Sequence, residues 1–448
     1  MADIRPFRAW RYNAKLGKNI ENYTSPLFDV VTDGQLQSLY QNPHNSIHVS
    51  VPRHGSQLKP QQIIEQWKRD GIINLDMLPA IYIYYQHFNL PNEPKPLVRK
   101  GFICHVRATD WGQGPLMRHE STMPEAVKDR LQTLRDSKLQ VNPTHGLYHD
   151  PNFSLEAIMD EAMLAPVYEV EDYQGVRDVI AIIHDAEAIA EFMKVMEAQK
   201  IVLADGHHRY EAAVAYKKEC ISKLHGVYTG AEPFNWHLMY LTNDANPDLR
   251  ILATHRLIKG IGNWPKEEWR KRLEVFFDIK TLEDPSTLPE VISGKKHAFG
   301  LILPNACFKL RLKEGMLAHL DWAFPDEVKE LDLTVLHYFV IWRILGISGP
   351  AQRKSAMLSY DRNFIRGLQK VNAGQADALF VTNPVTTAEV RQVAELGQTM
   401  PPKSTFFYPK VLGGFFFSSL HPVEFYSSVD ALFASKGQVE EVQTQTNS

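Results

Sequence analysis

The sequence has few cysteines and no long apolar run, and each absence excludes a class of protein. The chain of 448 residues holds 3 cysteines, Cys104, Cys220 and Cys307, which are far apart and form no Cys-x-x-Cys pair. A disulfide framework and a zinc site of paired cysteines are therefore excluded, and a reducing compartment is favoured. No run of about 18 apolar residues occurs, and the N-terminus has no apolar leader core. The sequence predicts a soluble, cytoplasmic protein that does not enter a membrane.

The chain also lacks an excess of either charge. It has 49 Lys and Arg against 52 Asp and Glu, a formal net charge of −3. Without a global basic field, nucleic acid is not the predicted partner, although a local basic face stays open. A hydrophobic content of 44% is typical of globular proteins. The length permits about two or three domains.

A short polar turn after a buried strand is the most informative stretch of the sequence. The apolar run Ile201–Ala204 predicts a buried strand, Asp205-Gly206 predicts a sharp turn, and the alanine-rich run that follows predicts a helix. Backbone N–H groups at the start of a helix have no partners within it and lie at the positive end of its dipole. The turn is therefore predicted to bind an anion such as a phosphate.

The side chains of this turn suit the same purpose. Arg209 can donate two parallel hydrogen bonds to a phosphate or carboxylate, and Asp205 can hold a cation or a hydroxyl. His207 and His208 can donate or accept, but adjacent residues do not share a face of a strand or helix, which argues against a metal site between them. The alternative is an ordinary Asp-Gly turn in which Arg209 pairs with Glu211 or with a neighbouring strand, and either histidine caps a helix or packs in the core.

A second polar cluster, Arg118–Thr122, precedes a helix predicted from about Pro124 to Lys138. It is not a metalloprotease His-Glu-x-x-His motif, because Met123 stands where the second histidine is needed. Glu120 has two interpretations. It stabilises the start of the helix as a carboxylate near the positive end of the dipole, or it is a general base whose surroundings raise its pKa.

A third stretch, Gly397–Thr405, is similar to a phosphate-binding P-loop only in part. Pro402 stands where that motif needs its second glycine, and the aromatic residues after Thr405 favour a strand where the motif needs a helix. A Walker A motif is therefore excluded. Lys403 and Ser404 are still candidate donors to an anionic ligand, and a rigid turn that enters a buried strand is the alternative.

Residue periodicity predicts an α+β protein. The alternating segment Ser46–Val51 predicts a half-buried strand, and Pro60–Trp67 predicts a helix with proline in its first turn. Trp236–Leu241 and Leu249–Leu257 are predicted to pair as neighbouring strands. The predicted division of the chain is an N-terminal α+β segment (1–115), a core (116–260), a C-terminal α/β segment (261–437) and a disordered tail (438–448).

Five motifs in order resemble the DUF1015 family, a set of bacterial and archaeal proteins of unknown function. The resemblance extends from about residue 4 to about residue 420. The chain departs from the family in one motif: the family has Pro-Pro-Tyr-Asp, and this chain has Pro26-Leu27-Phe28-Asp29. The tyrosine hydroxyl of the family is therefore absent, whereas Asp29 is available. The motifs are Ile4–Ala9, Ser25–Val30, His119–Thr122, Ala204–Tyr210 and Met400–Lys410.

The element Asp205–Arg209 also resembles a signature of the ParB/sulfiredoxin-like superfamily, which includes chromosome-partition nucleotide-binding domains, sulfiredoxin and free-serine kinases. In those kinases an early carboxylate is the base, and the Asp-Gly-His-x-Arg turn contacts metal and phosphates. The resemblance implies an α+β fold with a ParB/sulfiredoxin-like core and additional mixed α/β segments. The resemblance implies Glu120, Asp205 and His207 as catalytic residues, with Asp205 also the ligand of Mg²⁺. The nucleotide-binding residues it implies are Gly206, His208 and Arg209. Lys403 and Ser404, from the stretch Gly397–Thr405, are added to them as candidates.

Two functions are consistent with these residues. The first is a phosphotransferase that uses ATP or ADP with Mg²⁺ and acts on a hydroxyl of a small metabolite, with free serine as the first candidate. The alternative is a ParB-like nucleotide-binding switch or adaptor without metabolite turnover. A redox enzyme of the sulfiredoxin kind needs a reactive cysteine in the turn, and none lies there. The acceptor, the phosphate donor, the oligomeric state and the membership of Asp29, His119 and His255 in the site stay open.

Overall fold

The computed structural model describes residues 1–28, 30–53, 55–91, 93–172, 174–262 and 264–425. They divide into two compact units. The first unit comprises Met1–Met117, Thr122–Leu249 and the described residues from Pro409 onward, and the second comprises Arg118–Ser121 and Arg250–Tyr408. Within the described ranges, no helix is both long and apolar enough to cross a lipid bilayer. The predicted disordered tail at 438–448 lies outside the described residues.

The first unit is built around a mixed sheet. Its strands up to residue 243 are β1 (Ile4–Arg5), β2 (Trp10–Tyr12), β3 (Ile73–Leu75), β4 (Ile81–Phe88), β5 (Leu97–Arg107), β6 (Leu116–Arg118), β7 (Leu139–Gln140), β8 (Thr144–Tyr148), β9 (Tyr168–Glu171), β10 (Arg177–Ile183), β11 (Ile201–Asp205) and β12 (Trp236–Asn243). Among the described residues, nine of these strands form one sheet in the order β6-β11-β8-β12-β5-β4-β10-β9, with β1 beside β5. The β8–β12 pair is parallel, whereas β11 runs antiparallel to β8.

Helices alternate with these strands along the sequence. They are α1 (Ala14–Gly17), α2 (Asp33–Leu39), α3 (Ile47–Ser50), α4 (Pro60–Arg69), α5 (Pro124–Ser137), α6 (Glu156–Ala162), α7 (Ala186–Glu197) and α8 (His207–Ser222). Both α4 and α5 begin with proline, whose missing N–H costs nothing at a helix start. The helix predicted from about Pro124 is confirmed, and it ends where Lys138 adopts a left-handed conformation.

The second unit has its own sheet and core. Its strands are β13 (Arg250–Ile251), β14 (His255–Ile258), β15 (Phe277–Leu282), β16 (Ala298–Leu303), β17 (Ala306–Leu312), β18 (Leu358–Asp361), β19 (Ala378–Val381) and β20 (Phe407–Tyr408). Its helices are α9 (Lys266–Leu273), α10 (Leu288–Ile292), α11 (Asp326–Lys329), α12 (Asp332–Val335), α13 (Phe364–Asn372) and α14 (Thr387–Glu395), with a π-helix at Leu336–Ile344. The sheet order is β15-β17-β16-β19-β14-β18. The chain then returns to the first unit with β21 (Ser418–Ser419) and α15 (Pro422–Phe425).

Two local predictions are wrong. Ser46–Val51 contains a helix, α3, because the Asn45 side chain accepts the Ile47 N–H at 2.9 Å and turns the chain. The segments Trp236–Leu241 and Leu249–Leu257 do not pair with each other. The first segment belongs to β12, which pairs with β5 and β8. The second segment contains two strands: β13, which pairs with β20, and β14, which pairs with β18 and β19.

The predicted α+β class is confirmed by this mixture of sheets and helices. The segments predicted at 1–115 and 116–260 contribute strands to the same sheet, β4 and β5 from one and β8, β11 and β12 from the other. The site described below lies at the end of β11 in that sheet.

Candidate functional site

The strand, turn and helix predicted around Asp205 are confirmed. β11 is buried along its apolar residues and ends at Asp205, and α8 begins at His207. Gly206 between them has φ +91°, and a Cβ atom there would lie 2.6 Å from Thr144 Cγ2 and 2.8 Å from Arg209 Nη2. Glycine is therefore required both by the backbone conformation and by the close approach of its neighbours.

A cluster of one carboxylate and two cations forms at this turn; we call Asp205, Arg209 and Lys410 the 205 cluster. Asp205 Oδ1 accepts from Lys410 Nζ at 2.8 Å, and Asp205 Oδ2 accepts from Arg209 Nη2 at 2.9 Å. One negative and two positive formal charges leave one positive charge in excess. Burial alone would raise the pKa of Asp205, but the charges of Lys410 and Arg209 outweigh it and hold the pKa below its ordinary value.

Arg209 joins this cluster to the strand beside it. Its Nη1 donates to the carbonyl oxygens of Asn142 at 3.1 Å and Pro143 at 2.7 Å, just before β8 begins. The register of β11 against β8 shifts between Leu203 and Asp205, an irregularity that redirects the last side chain of the strand. The guanidinium is thus fixed by the backbone on one side and by the carboxylate on the other.

Lys410 is held in place through its backbone. Its carbonyl accepts from Gln86 Nε2 at 3.0 Å, and the N–H of Leu412 donates to the Tyr84 hydroxyl at 3.2 Å. Gln86 and Tyr84 both donate to Asp178 Oδ1, at 2.7 and 2.6 Å. Burial raises the pKa of Asp178 to about 7. A buried polar network on β4 and β10 therefore positions the cation that neutralises Asp205.

Two histidines near the 205 cluster are neutral at physiological pH. His145 on β8 is hydrogen-bonded through Nε2 to the Thr242 hydroxyl at 2.7 Å, and burial together with nearby cations holds its pKa well below the ordinary value. His237 on β12 is hydrogen-bonded through Nε2 to the Thr144 hydroxyl at 3.0 Å, and burial lowers its pKa to about 3. Neither imidazole carries a positive charge toward a ligand.

The two histidines of the turn separate in the structure. His207 is buried at the first position of α8. His208 Nε2 accepts the backbone N–H of Met123 at 3.0 Å, so it holds the residue that precedes α5. Glu211, one turn further on, accepts from the Thr122 hydroxyl at 2.7 Å. His208 and Glu211 therefore fasten α8 to the start of α5.

The other predicted site residues belong to the second unit. Glu120 lies in the bend that follows β6, and the neighbouring His119 is buried, with Nε2 hydrogen-bonded to the Thr405 hydroxyl at 2.9 Å. Lys403 is exposed with φ +55°, and the Ser404 hydroxyl donates to the Pro401 carbonyl at 2.7 Å. Lys403 and Ser404 thus form a turn that enters β20, and no helix follows it, as expected when the P-loop was excluded.

His255 is likewise a residue of the second unit. It is buried on β14, its Nδ1 accepts the Thr382 N–H at 3.2 Å, and burial lowers its pKa to about 4. Asp29 lies outside the described residues. Sequence reasoning assigned no role to Lys410, His145 or His237. The only signal for Lys410 is its place at the end of the motif Met400–Lys410.

The chemistry of the 205 cluster favours an anion. Both carboxylate oxygens of Asp205 already accept from cations. Over the described part of the chain, no group of three or more His, Cys, Asp and Glu side chains is placed to hold a metal ion. The excess positive charge at the N-terminus of the 16-residue α8 is suited to a phosphate or carboxylate group.

Comparison with known proteins gives a family and several similar structures. Residues 4–334 match the family described as "Protein of unknown function (DUF1015)", which confirms the resemblance for the four motifs within that range. The fifth motif, Met400–Lys410, lies beyond the matched residues. No curated protein matches the sequence.

The similar structures share little sequence with this chain. A conserved hypothetical protein from Pyrococcus furiosus has 13% identity and a TM-score of 0.34, with 68% of this chain and 92% of that chain covered. A free serine kinase in complex with AMP has 14% identity and a TM-score of 0.36, covering 70% and 90%. SbnI with a C-terminal truncation, from Staphylococcus aureus, has 11% identity and a TM-score of 0.34, covering 74% and 94%. No residue role in this chain is taken from these structures.

Proposed function

Because the chain belongs to the DUF1015 family, whose description assigns no function, we propose a function from the geometry of the first unit. The protein is a small-molecule phosphotransferase that binds the phosphate groups of ATP or ADP at the 205 cluster. Its acceptor is a hydroxyl group of a small metabolite. The single observation that carries the proposal is the excess positive charge held at the N-terminus of α8.

The excess positive charge suits phosphate binding because it lies on side chains that are largely shielded from solvent. Lys410 and Arg209 are only partly exposed, so solvent screens their attraction for a phosphate less than it would at an open surface. Asp205 holds both cations in position before a ligand arrives. Phosphoryl transfer depends mainly on such positioning and charge neutralisation, which makes a preformed cationic turn a suitable device.

The proposed reaction transfers one phosphoryl group. The acceptor oxygen forms a bond to the terminal phosphorus of the nucleotide while the bond from that phosphorus to the bridging oxygen breaks. ATP leaves as ADP, or ADP leaves as AMP, and the hydroxyl proton passes to a base. Lys410 and Arg209 neutralise the charge on the phosphate oxygens during this exchange. Glu120 stays the predicted base.

Mg²⁺ has no support from the contacts of Asp205. A divalent cation at this carboxylate would have to displace Lys410 or Arg209, and the donor set around it is cationic. The residues therefore do not fit a resident Mg²⁺, and no step is derived through one. Mg²⁺ enters the experiment only as a component of the buffer that is added or removed.

The test combines a transfer assay with a nucleotide-binding assay on the full-length protein. ATP or ADP, with and without Mg²⁺, is incubated with free serine and a panel of hydroxyl-bearing metabolites, and phosphorus NMR follows the products. Lys410→Met should weaken nucleotide binding by about 10-fold to 100-fold, since a charge-assisted contact is lost. Lys370→Met is the matched control, because Lys370 also pairs with an aspartate that ends a strand, but in the second unit.

Each outcome of this test decides something. A product that depends on Lys410 but not on Lys370 supports the proposal. Loss of product in Glu120→Gln with nucleotide binding intact supports the predicted role of Glu120. Absence of both product and nucleotide binding in the unaltered protein contradicts the proposal.

A nucleotide-binding switch without turnover is the second candidate. The observation that favours it is the pairing of both Asp205 oxygens with cations, which leaves this carboxylate poorly suited to take a proton from a hydroxyl. Nucleotide binding that depends on Lys410, without any phosphorylated product across the panel, would select this candidate.

A further inference from the structure

A small cavity lies next to the 205 cluster in the first unit. Its volume is about 60 Å³, and its polar lining includes Ser50, Arg130, Gln140, Asn142, Arg209 and His237. Ser50 is the last residue of α3, Arg130 lies on α5, and His237 lies on β12. Arg209 belongs both to this lining and to the 205 cluster.

Four of these residues carry a polar atom that the protein itself does not satisfy. Ser50 Oγ, Asn142 Oδ1, Arg209 Nε and His237 Nδ1 are buried and have no hydrogen-bond partner among the described residues. Buried polar groups in native proteins are nearly always hydrogen-bonded, and each exception requires an explanation. Four exceptions in the lining of a single cavity indicate that something in the cavity supplies the missing partners.

The lining also indicates the charge of the occupant. Arg209 contributes a guanidinium group whose Nε has no partner, whereas Nε and Nη2 of Arg130 already donate to Asp129, and the described residues that line the cavity include no Asp or Glu. His237 is neutral. A carboxylate would therefore find a donor in Arg209 Nε, a hydroxyl group could donate to Asn142 Oδ1, and an ammonium group would find no carboxylate to pair with.

The volume limits the size of the occupant. A buried water needs on the order of 10–15 Å³ of such space. The cavity therefore accommodates about four to six non-hydrogen atoms by the same measure. A carboxylate with a hydroxyl on the adjacent carbon falls in this range.

We propose that this cavity binds a two- or three-carbon hydroxy acid, with its carboxylate at Arg209 and its hydroxyl among Ser50 and His237. This inference rests on the proposed function, for which it names the class of acceptor, and it favours a hydroxy acid over an amino acid. Arg209 then acts on two ligands, because Nη2 belongs to the phosphate-binding cluster and Nε to the lining of the acceptor cavity.

The experiment measures binding of small acids to the full-length protein by calorimetry and ligand-observed NMR, without nucleotide. The probes are glycolate and lactate, with serine, glycerol and inorganic phosphate as comparisons. The hydroxy acids should bind more tightly than serine, whose ammonium group has no partner, and more tightly than glycerol, which lacks the carboxylate. Tighter binding of serine, or of phosphate alone, overturns the proposal.

Ser50 provides the decisive variant. Ser50→Ala should raise the Kd for the acids about tenfold, because one hydrogen bond to a charged or polar ligand is lost. Its thermal midpoint in the absence of ligand should not fall, since the hydroxyl has no partner in the protein. Ser50→Thr keeps the hydroxyl and reduces the volume, so lactate should lose more affinity than glycolate.

Thr334→Val is the matched control. Thr334 Oγ1 is also buried without a hydrogen-bond partner in the described structure, but it lies on α12 of the second unit and does not line the cavity. This substitution should leave acid binding unchanged. If the acids do not bind and Ser50→Ala lowers the thermal midpoint, the cavity holds ordered water only and the proposal is overturned.

The two proposals fail in different ways. Lys410→Met should weaken nucleotide binding and leave acid binding intact, while Ser50→Ala should do the reverse. Nucleotide binding without acid binding overturns the cavity proposal alone. Acid binding without nucleotide binding or transfer overturns the proposed function and, with it, the role of the cavity as an acceptor site.

Discussion

Two aspartates in this chain have the same chemical partners and different surroundings. Asp205 ends β11 before α8 and pairs with Arg209 and Lys410. Asp361 ends β18 before α13 and pairs with Arg366 and Lys370. In each case a strand delivers a carboxylate to one arginine and one lysine, and in each case these cations hold the pKa below its ordinary value against the effect of burial.

The exposure of the cations separates the two clusters. The side chains of Arg366 and Lys370 are 61% and 36% exposed, whereas those of Arg209 and Lys410 are 11% and 13% exposed. Arg366 Nε and Nη2 both donate hydrogen bonds to the Asp361 carboxylate, at 2.8 and 2.6 Å, so two of the three guanidinium nitrogens are engaged by this one group. Arg209 gives the carboxylate only Nη2.

Two clusters with the same number of formal charges therefore differ in how strongly they attract an anion. The Asp361 carboxylate is itself only 1% exposed, but the excess charge of this cluster lies on exposed cations, where water and salt screen it. Excess charge in a sheltered cluster keeps its attraction for an anion. We therefore interpret the cluster at Asp361 as structural, stabilising the start of α13, and the 205 cluster as the proposed anion-binding site.

The largest expected effect comes from removing each carboxylate. Asp205→Asn leaves two sheltered cations without their anion and should lower the free energy of unfolding by about 3–5 kcal/mol. Asp361→Asn should lower it by about 1–2 kcal/mol, because its cations can turn to water. Denaturant unfolding measures both. Inorganic phosphate should restore stability to Asp205→Asn and not to Asp361→Asn, and equal rescue would remove the distinction between the clusters.

The next effect comes from the glycines near the two clusters. Gly206→Ala forces a Cβ atom into contact with Thr144 and Arg209 at φ +91°, and should lower the free energy of unfolding by about 2–4 kcal/mol. Gly374, which follows α13, has φ +67° and no atom within 4 Å of the added Cβ, so Gly374→Ala should cost about 1 kcal/mol. Thermal unfolding of the two variants checks this, and similar costs would show that the close approach at Gly206 is relieved without strain.

The smallest effect is a pH dependence shared by the two carboxylates. Their folded pKa values lie below the ordinary 3.8, so their stabilisation is fully present above that pH and is lost as pH falls toward the folded values. The cost of Asp205→Asn should be the same at about pH 7 and about pH 5, and smaller by about 1 kcal/mol at about pH 3.

Comparison with the unaltered protein at each pH removes the contribution of those buried histidines that do not interact with Asp205, because it is common to both proteins; His145 interacts with Asp205 and is not among them. His237 and His337, for example, have a pKa lowered to about 3 by burial, and they destabilise the fold as pH falls below their ordinary value. A cost of Asp205→Asn that already declines at about pH 5 would contradict the depressed pKa of Asp205.

Much of the fold could be predicted because its signals are local. Pro60 and Pro124 indicated the starts of α4 and α5, and the apolar run before Asp205 indicated β11. The error at α3 arose because alternating apolar and polar residues over so short a segment do not by themselves distinguish a strand from a helical turn. The pairing assigned to Leu249–Leu257 failed because neighbouring segments in sequence need not be neighbours in a sheet.

The predicted site was incomplete for a related reason. Asp205, Gly206 and Arg209 lie within one turn of each other, so their relation could be inferred from spacing. Ser50 and His237 gave no such signal, because an unsatisfied hydrogen-bonding atom becomes visible only when its surroundings are known. Glu120, Lys403 and Ser404 proved to belong to the second unit, and their predicted roles depend on experiment.

By itself, the sequence determined the strand, the turn and the helix around Asp205, and with them a carboxylate beside an arginine at a helix N-terminus. These features follow from torsion preferences and from hydrogen bonds between residues a few positions apart. Only the tertiary structure brought Lys410, 205 residues further along the chain, to the other oxygen of Asp205. Charge interactions depend on distance and burial in space, and neither can be deduced from the order of residues alone.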